Sequence, residues 1–156
     1  MHNGQPDLLH GLEDDQVREA LMLGSRITLR SGAQLFALGE QADRIFIIEH
    51  GQVRLTLPMK VRGKEESVLV EEMGPGQTVG WSALIPPYRF TLKATASVET
   101  EMIALSREAL KELFAADPSI GYTVSLNVAS VMGQRLQLFQ AMWLREMQRG
   151  IEMRDH

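Results

Sequence analysis

The sequence contains no cysteine, which excludes disulfide bonds, iron–sulfur clusters and cysteine-ligated zinc. Its four histidines, His2, His10, His50 and His156, are scattered along the chain and lack the clustered spacing that a metal site requires. We therefore expect no bound metal. We interpret His50, which precedes Gly51, as a turn residue, with haem ligation as the lesser alternative.

Long hydrophobic runs are also missing. No apolar segment approaches the roughly 20 residues that cross a bilayer, and the first seven residues, MHNGQPD, lack the basic and apolar regions of a signal peptide. We expect a cytoplasmic protein without a membrane partner.

Positive charge is scarce as well. The chain has 16 Lys and Arg against 20 Asp and Glu, a formal net charge of −4, whereas binding to a nucleic-acid backbone needs a basic surface. We expect no direct nucleic-acid partner. The small basic cluster of Lys60, Arg62 and Lys64 is typical of a solvated hairpin tip.

What is present is the composition of one globular domain. The chain has 156 residues, of which 44% are hydrophobic and 23% charged, enough for one core. Apolar spacing predicts a helical lead-in over residues 1–25, short strands separated by glycine turns over 26–105, and helices over 106–156. Ser106 is the predicted cap of the first of these C-terminal helices.

A glycine-rich turn at residues 74–84 is the most informative segment. Its glycines let the backbone turn tightly, and its consecutive amide N–H groups are able to converge on an anion. The turn therefore predicts a phosphate site, with a simple chain reversal as the alternative. The candidate ligand-binding residues lie in this turn and the strand after it: Val79, Gly80, Trp81, Ser82, Ala83, Arg89, Phe90 and Thr91.

This segment resembles the phosphate-binding cassette of the cyclic-nucleotide-binding domain family, a Gly-Glu-x-Ala-Leu turn followed by an Arg-Thr/Ser-Ala strand. Gly80, Ala83, Leu84 and Thr91 match this pattern. The glycine-punctuated strands upstream also match the family in order and spacing: 32–35, 39–43, 45–48 and 51–53. The resemblance implies a mainly β fold with flanking helices, a jelly-roll β-barrel (double-stranded β-helix) followed by a long C-terminal helix.

Two positions depart from the family pattern. The family's glutamate, which contacts the ribose 2′-hydroxyl, falls at Trp81, and its phosphate-binding arginine falls at Phe90, with Arg89 one position too early. Three outcomes remain open. A cyclic nucleotide (cAMP or cGMP) is held by backbone amides and Arg89, another small and flatter ligand is bound, or the aromatic side chains fill the pocket themselves.

The long C-terminal helix carries apolar residues over an arc of about 180°, whereas one packing partner accounts for about 100°. We expect it to contact both the barrel and a second copy of the chain, as the resemblance to bacterial catabolite-activator proteins implies. The alternative is a helix lying wholly on its own barrel. Arg135 lies inside the arc and is expected to reach solvent, a carboxylate or a ligand anion. The predicted dimer-helix residues are Val131, Arg135, Leu138, Phe139 and Met142.

These observations predict a non-enzymatic regulatory domain that signals through rearrangement of its dimer and helix. The alternative is a structural protein–protein interaction module with an empty pocket. Because the chain ends soon after the long helix, we expect no DNA-reading helix-turn-helix.

Overall fold

The computed structural model describes residues 5–154. The ends of the predicted lead-in and C-terminal segment, residues 1–4 and 155–156, lie outside the described residues, and so do His2 and His156. A 3₁₀ helix (Asp7–Leu9) and helix α1 (Asp14–Leu21) precede the strands. Among the described residues no helix is long and apolar enough to cross a membrane.

Within residues 5–154, eight strands form two four-stranded antiparallel sheets that pack as a jelly roll, which confirms the predicted fold class. The strands are β1 (Ser25–Leu29), β2 (Gln34–Phe36), β3 (Arg44–His50), β4 (Val53–Val61), β5 (Lys64–Met73), β6 (Thr78–Val79), β7 (Lys93–Ala96) and β8 (Thr100–Ser106). One sheet has the order β1-β8-β3-β6 and the other β2-β7-β4-β5.

Strand β3 lies at the centre of the core. Its residues Ile45, Phe46, Ile47 and Ile48 are each no more than 3% exposed. Since successive side chains of a strand point to opposite faces, both faces of β3 are covered. This explains why the segment is a continuous apolar run rather than an alternating one.

The hairpin of β4 and β5 is the longest in the fold and turns at Arg62 and Gly63, both with positive φ (53° and 79°). Lys60, Arg62 and Lys64 are exposed at this tip. The structure therefore confirms the interpretation of the basic cluster as a solvated hairpin end.

Two further helices follow the barrel, α2 (Arg107–Ala116) and α3 (Pro118–Arg154). The Ser106 hydroxyl accepts a hydrogen bond from the Ala109 amide at 3.1 Å, which confirms the predicted cap of α2. Helix α3 has 37 residues and is therefore about 55 Å long. Its Asn127 donates to the carbonyls of Leu8 (2.8 Å) and His10 (3.0 Å), which ties the start of the helix to the lead-in.

Asp7 joins the lead-in to the turn that follows β5. Its amide donates to the Gly76 carbonyl at 2.9 Å, and its carboxylate accepts from the amide of Thr78 at 3.3 Å and from the Thr78 hydroxyl. Burial raises the pKa of this carboxyl above its usual value of 3.8, against the opposing effect of the hydrogen bonds from Thr78.

We predict that Asp7→Asn weakens the pH dependence of stability. Because the folded-state pKa is raised, the contribution of Asp7 is fully present below its unfolded value of 3.8 and is lost as pH rises through the folded pKa. Wild type should therefore gain stability relative to the variant as pH falls from 7 towards 4. Urea unfolding of both proteins over this range measures the difference, and a pH-independent difference would contradict the prediction.

Candidate functional site

The glycine-rich turn leads from β6 into a short 3₁₀ helix (Trp81–Leu84) through Gly80. Gly80 has φ +86°, and a Cβ there would lie 3.3 Å from the Arg44 carbonyl and from the rings of Phe46 and Phe90. Both the left-handed backbone and the close packing therefore require glycine.

Trp81 points into the core. It is 1% exposed, and its indole Nε1 donates to the Thr78 carbonyl at 2.8 Å. This bond satisfies the single polar group of the ring. Trp81 consequently stabilises the turn from inside and presents no carboxylate where the family has one.

Phe90 occupies the interior beside it. Its ring stacks on Phe36 with centroids 3.7 Å apart and planes at 7°, and it is 6% exposed. We call Phe36, Trp81 and Phe90 the aromatic plug. The plug leaves a cleft with a volume of about 10 Å³, room for about one water molecule.

The structure brings some of the predicted site residues together and separates others. Gly80, Ser82 and Thr91 line the cleft together with Trp81 and Phe90 of the plug. The predicted residues Val79 and Ala83 are fully buried beside the turn.

Arg89 is not part of this group. Its side chain is exposed and donates through Nη1 to the Gly39 carbonyl at 3.1 Å. The one-position offset from the family's arginine thus directs this cation to the loop before β3, away from the cleft.

The charge at the cleft comes instead from helix α3. Arg135 lines the cleft with its side chain 13% exposed, and its Nη2 lies 3.9 Å from the Glu71 carboxylate on β5. Its Nε is buried and has no hydrogen-bond partner among the described residues. Burial lowers the pKa of the guanidinium, and the Glu71 charge partly opposes this effect.

Sequence reasoning missed the cleft residues Phe36, Leu55 and Leu92, and it missed Glu71, the partner of Arg135. Phe36 and Leu92 lie in ordinary apolar segments, and Glu71 is one of several acidic residues on β5. Nothing in the local pattern separates these residues from their neighbours, because they meet the turn only through the pairing of distant strands.

A second arginine holds the turn from the outside. Arg107 at the start of α2 donates to the carbonyls of Ala42 and Ala83, the latter at 3.2 Å, and its guanidinium lies 4.0 Å from the centre of the Tyr88 ring. These contacts attach α2 to the end of the cassette. A displacement of α2 would therefore be transmitted to the turn.

Helix α3 presents different residues on its two sides. Val131 and Phe139, predicted in the dimer, pack against the chain's own core, while Leu138 and Met142 are half-buried. The other side is exposed and has apolar or small residues, with one glutamine, at alternating spacings of four and three. This heptad seam consists of Tyr122, Leu126, Ala129, Gly133, Leu136, Gln140, Trp143 and Met147.

The cassette turn, the jelly roll and the long helix together define a cyclic-nucleotide-binding domain. The family model described as "Cyclic nucleotide-binding domain" matches residues 26–117, more than half of the chain. The chain therefore belongs to this family.

Its relatives include bacterial regulators. The chain is 28% identical over 134 residues to the cyclic AMP receptor protein of Thermus thermophilus, an alignment that covers 86% of this chain and 58% of that protein. It is 26% identical over 130 residues to a CRP-like cAMP-activated global transcriptional regulator of Mycobacterium tuberculosis, covering 83% and 55%. The chain thus spans a little over half the length of these curated relatives.

Solved structures agree with the fold. The N-terminal domain of a transcriptional regulator from Streptomyces coelicolor superposes with a TM-score of 0.70 at 26% identity, covering 85% of this chain and 91% of that one. The Thermus thermophilus catabolite activator protein superposes with a TM-score of 0.73 at 27% identity, covering 91% and 63%.

We predict that Phe90→Ala destabilises the protein by about 3–5 kcal/mol, because it removes a stacked, buried ring and leaves a cavity. Arg89→Ala, one residue away and exposed, should cost less than about 1 kcal/mol. Urea unfolding measures both changes. A loss at Phe90 no larger than that at Arg89 would show that the plug does not support the fold.

Proposed function

We propose that this chain is a non-enzymatic, cytoplasmic regulatory domain that acts as a homodimer and signals through the packing of α3 against its barrel. One observation carries the proposal: adjacent residues of a single helix face two different sites. Arg135 lines the cassette cleft, and Leu136 lies on the exposed heptad seam, 61% exposed. A change at the cleft that shifts α3 therefore reaches the seam directly.

The heptad seam favours a second copy of the chain as the partner that packs against α3. Positions spaced alternately by four and three residues lie along one stripe of a helix and fit the same stripe of an identical helix. Ala129 and Gly133 permit close approach, and Leu136, Trp143 and Met147, between 45% and 62% exposed, offer apolar area to bury. This seam differs from the predicted dimer residues Val131 and Phe139, which are partly buried against the chain's own core.

The aromatic plug supports a change of ligand chemistry. The relatives named above carry cAMP in their names, but here Trp81 and Phe90 stand where the family has its ribose-binding glutamate and phosphate-binding arginine. Both aromatic side chains are buried, and the cleft volume of about 10 Å³ is far below the few hundred Å³ of a typical small-molecule site. We infer that neither cAMP nor cGMP binds in the family's manner.

The same filled cleft favours a second candidate function, a protein–protein interaction module without a small-molecule ligand. In that case the heptad seam alone would carry the function. The two candidates differ in one property: a ligand that prefers the folded state raises the melting temperature with its concentration, and a module without a ligand shows no such rise.

We predict that the chain sediments as a dimer and that Leu136→Glu weakens this dimer by at least about tenfold, about 1.4 kcal/mol. The variant places an unpaired charge in the seam. Gln134→Glu on the same helix, exposed but outside the seam, is the matched control and should leave the dimer unchanged. Equal effects of the two variants in sedimentation equilibrium, or a monomeric wild type, would refute the seam.

We predict that isothermal titration of cAMP or cGMP into the wild type gives no saturable heat. Phe90→Arg removes one ring of the plug and restores a cation at the family's position, so it should gain measurable nucleotide binding. Circular dichroism of the variant checks that it is folded. Micromolar binding by the wild type would show that the backbone of the turn suffices to hold a cyclic nucleotide.

A further inference from the structure

A groove lies between α2, α3 and the end of the cassette, apart from the cleft beside the aromatic plug. Its volume is about 230 Å³, against about 10 Å³ for that cleft, and the two share no lining residue. A cavity of about 150 Å³ is large enough to bind benzene, so the groove has room for a small ring with a polar group attached. We call it the helix groove; its apolar lining is Leu84, Phe114, Val124 and Val128, and its polar lining is Arg107, Lys111 and Ser125.

The helix groove begins one turn beyond the point where α2 and α3 touch. A Cβ on Gly121 of α3 would lie 3.0 Å from the Cβ of Phe114 on α2, so the two helices are in close contact there. Val124, Ser125 and Val128 follow Gly121 at helical spacing and therefore lie on the same side of α3. Val124 is 1% exposed and Val128 packs partly against the core. The floor of the groove is apolar, and it suits a ligand with an apolar body.

Two cations stand at the helix groove over a single aromatic ring. The guanidinium carbon of Arg107 lies 4.0 Å from the centre of the Tyr88 ring, and the Nζ of Lys111 lies 5.4 Å from it. Within residues 5–154 neither cation takes part in an ion pair, although α2 also carries Glu108 and Glu112. Since two like charges in such proximity repel each other, an anion placed between them would be stabilised.

The hydrogen-bonding capacity of these cations is also largely unused. Both bonds of Arg107, to the carbonyls of Ala42 and Ala83, are donated by Nη1. Its Nε and Nη2, and the Nζ of Lys111, donate to no group in the described part of the chain. The Nε–Nη2 edge of a guanidinium matches the two oxygens of a carboxylate. The described lining of the groove contains no carboxylate of its own.

We propose that the helix groove binds a small organic monocarboxylate. The carboxylate lies on Arg107 and Lys111, and the apolar body packs against Phe114, Val124 and Val128. The site is separate from the cassette cleft, and its ligand needs neither a ribose nor a phosphate. The consequence for signalling rests on the proposed regulatory function and deepens it by naming a class of ligand.

A ligand in the helix groove contacts all three elements that move together in the proposed function. Leu84 ends the short 3₁₀ helix of the cassette, Lys111 belongs to α2, and Val128 belongs to α3. Val128 directly precedes Ala129 of the heptad seam. Occupancy therefore fixes the position of α3 relative to the cassette and biases the dimer.

The test is a titration of benzoate into the full chain, followed by NMR of the backbone amides. We expect saturable shifts at Lys111, Ser125 and Val128 and none at Gly80 or Thr91 of the cassette cleft. Benzyl alcohol keeps the ring and lacks the charge, whereas inorganic phosphate keeps the charge and lacks the ring. Each should bind several-fold more weakly than benzoate.

Ser125→Phe fills the helix groove with a ring and should abolish saturable benzoate binding. Ser125 is exposed, and its hydroxyl bonds to no described residue, so the variant should fold. Ser130→Phe places the same ring at an exposed position of the same helix that does not line the groove. This control should bind benzoate as the wild type does.

Lys111→Gln tests the charge, because Arg107 also holds the cassette turn and its removal would disturb the fold. The variant should bind benzoate several-fold more weakly and benzyl alcohol equally well. Lys64→Gln, at the exposed hairpin tip, is the matched control and should leave both affinities unchanged.

The site is refuted by the absence of saturable shifts in the wild type, by equal affinities for benzoate and benzyl alcohol, or by equal binding to Ser125→Phe and Ser130→Phe. Shifts confined to Gly80 and Thr91 would place benzoate in the cassette cleft and refute it as well. Sedimentation with and without benzoate separates this failure from that of the proposed function. A dimer without benzoate binding refutes the helix groove alone, and benzoate binding by a monomer refutes the dimer alone.

Discussion

The stacked pair of Phe36 and Phe90 is the contact on which the site depends, since the two rings stack at 3.7 Å and line the cleft beside the cassette turn. Trp81 completes this plug from the turn itself. Rings in such close packing contribute several kcal/mol of stability. Two of these rings, Trp81 and Phe90, also stand where the family has the charged groups that contact ribose and phosphate. The same side chains therefore stabilise the fold and change the chemistry of the cleft.

The second feature that determines the chemistry of the cleft is where the nearby arginines lie. Arg89 lies outside, on the carbonyl of Gly39, and Arg107 supports the cassette from its outer side. The cation at the cleft comes from α3, where Arg135 is buried with a distant counter-ion. The cation that lines the cleft therefore belongs to α3, the element that also carries the heptad seam.

This arrangement places two kinds of contact on one rigid element. Helix α3 is tied to the lead-in by Asn127 and packs on the core through residues such as Phe139, while its opposite side is exposed. Two states of the helix that differ in these contacts would be biased by anything that binds at the cleft or at the seam. The proposed regulation therefore needs no movement inside the barrel.

The sequence predicted those structural elements that depend on interactions between residues close together in the chain. The short strands with their glycine turns, the start of α2 at the Ser106 cap and the exposed basic hairpin tip follow from local patterns, whereas the jelly roll was implied by the resemblance to the family. The loss of the family's charged pair was also visible in the sequence, because it depends only on which residues occupy two positions of a recognisable turn.

Tertiary structure alone decided where those side chains go. The sequence left open whether Trp81 and Phe90 face a ligand or fill the pocket themselves. Phe36 lies more than 40 residues from Phe90 in the sequence, and strand pairing brings its ring onto that of Phe90, so the rings fill the pocket. The apolar arc of α3 likewise predicted two contact surfaces, and the structure shows that Val131 and Phe139, on this arc, pack partly against the chain's own core. A periodic pattern defines the faces of a helix, whereas the choice of which face packs on the core depends on the shape of the barrel and the position of its neighbouring elements.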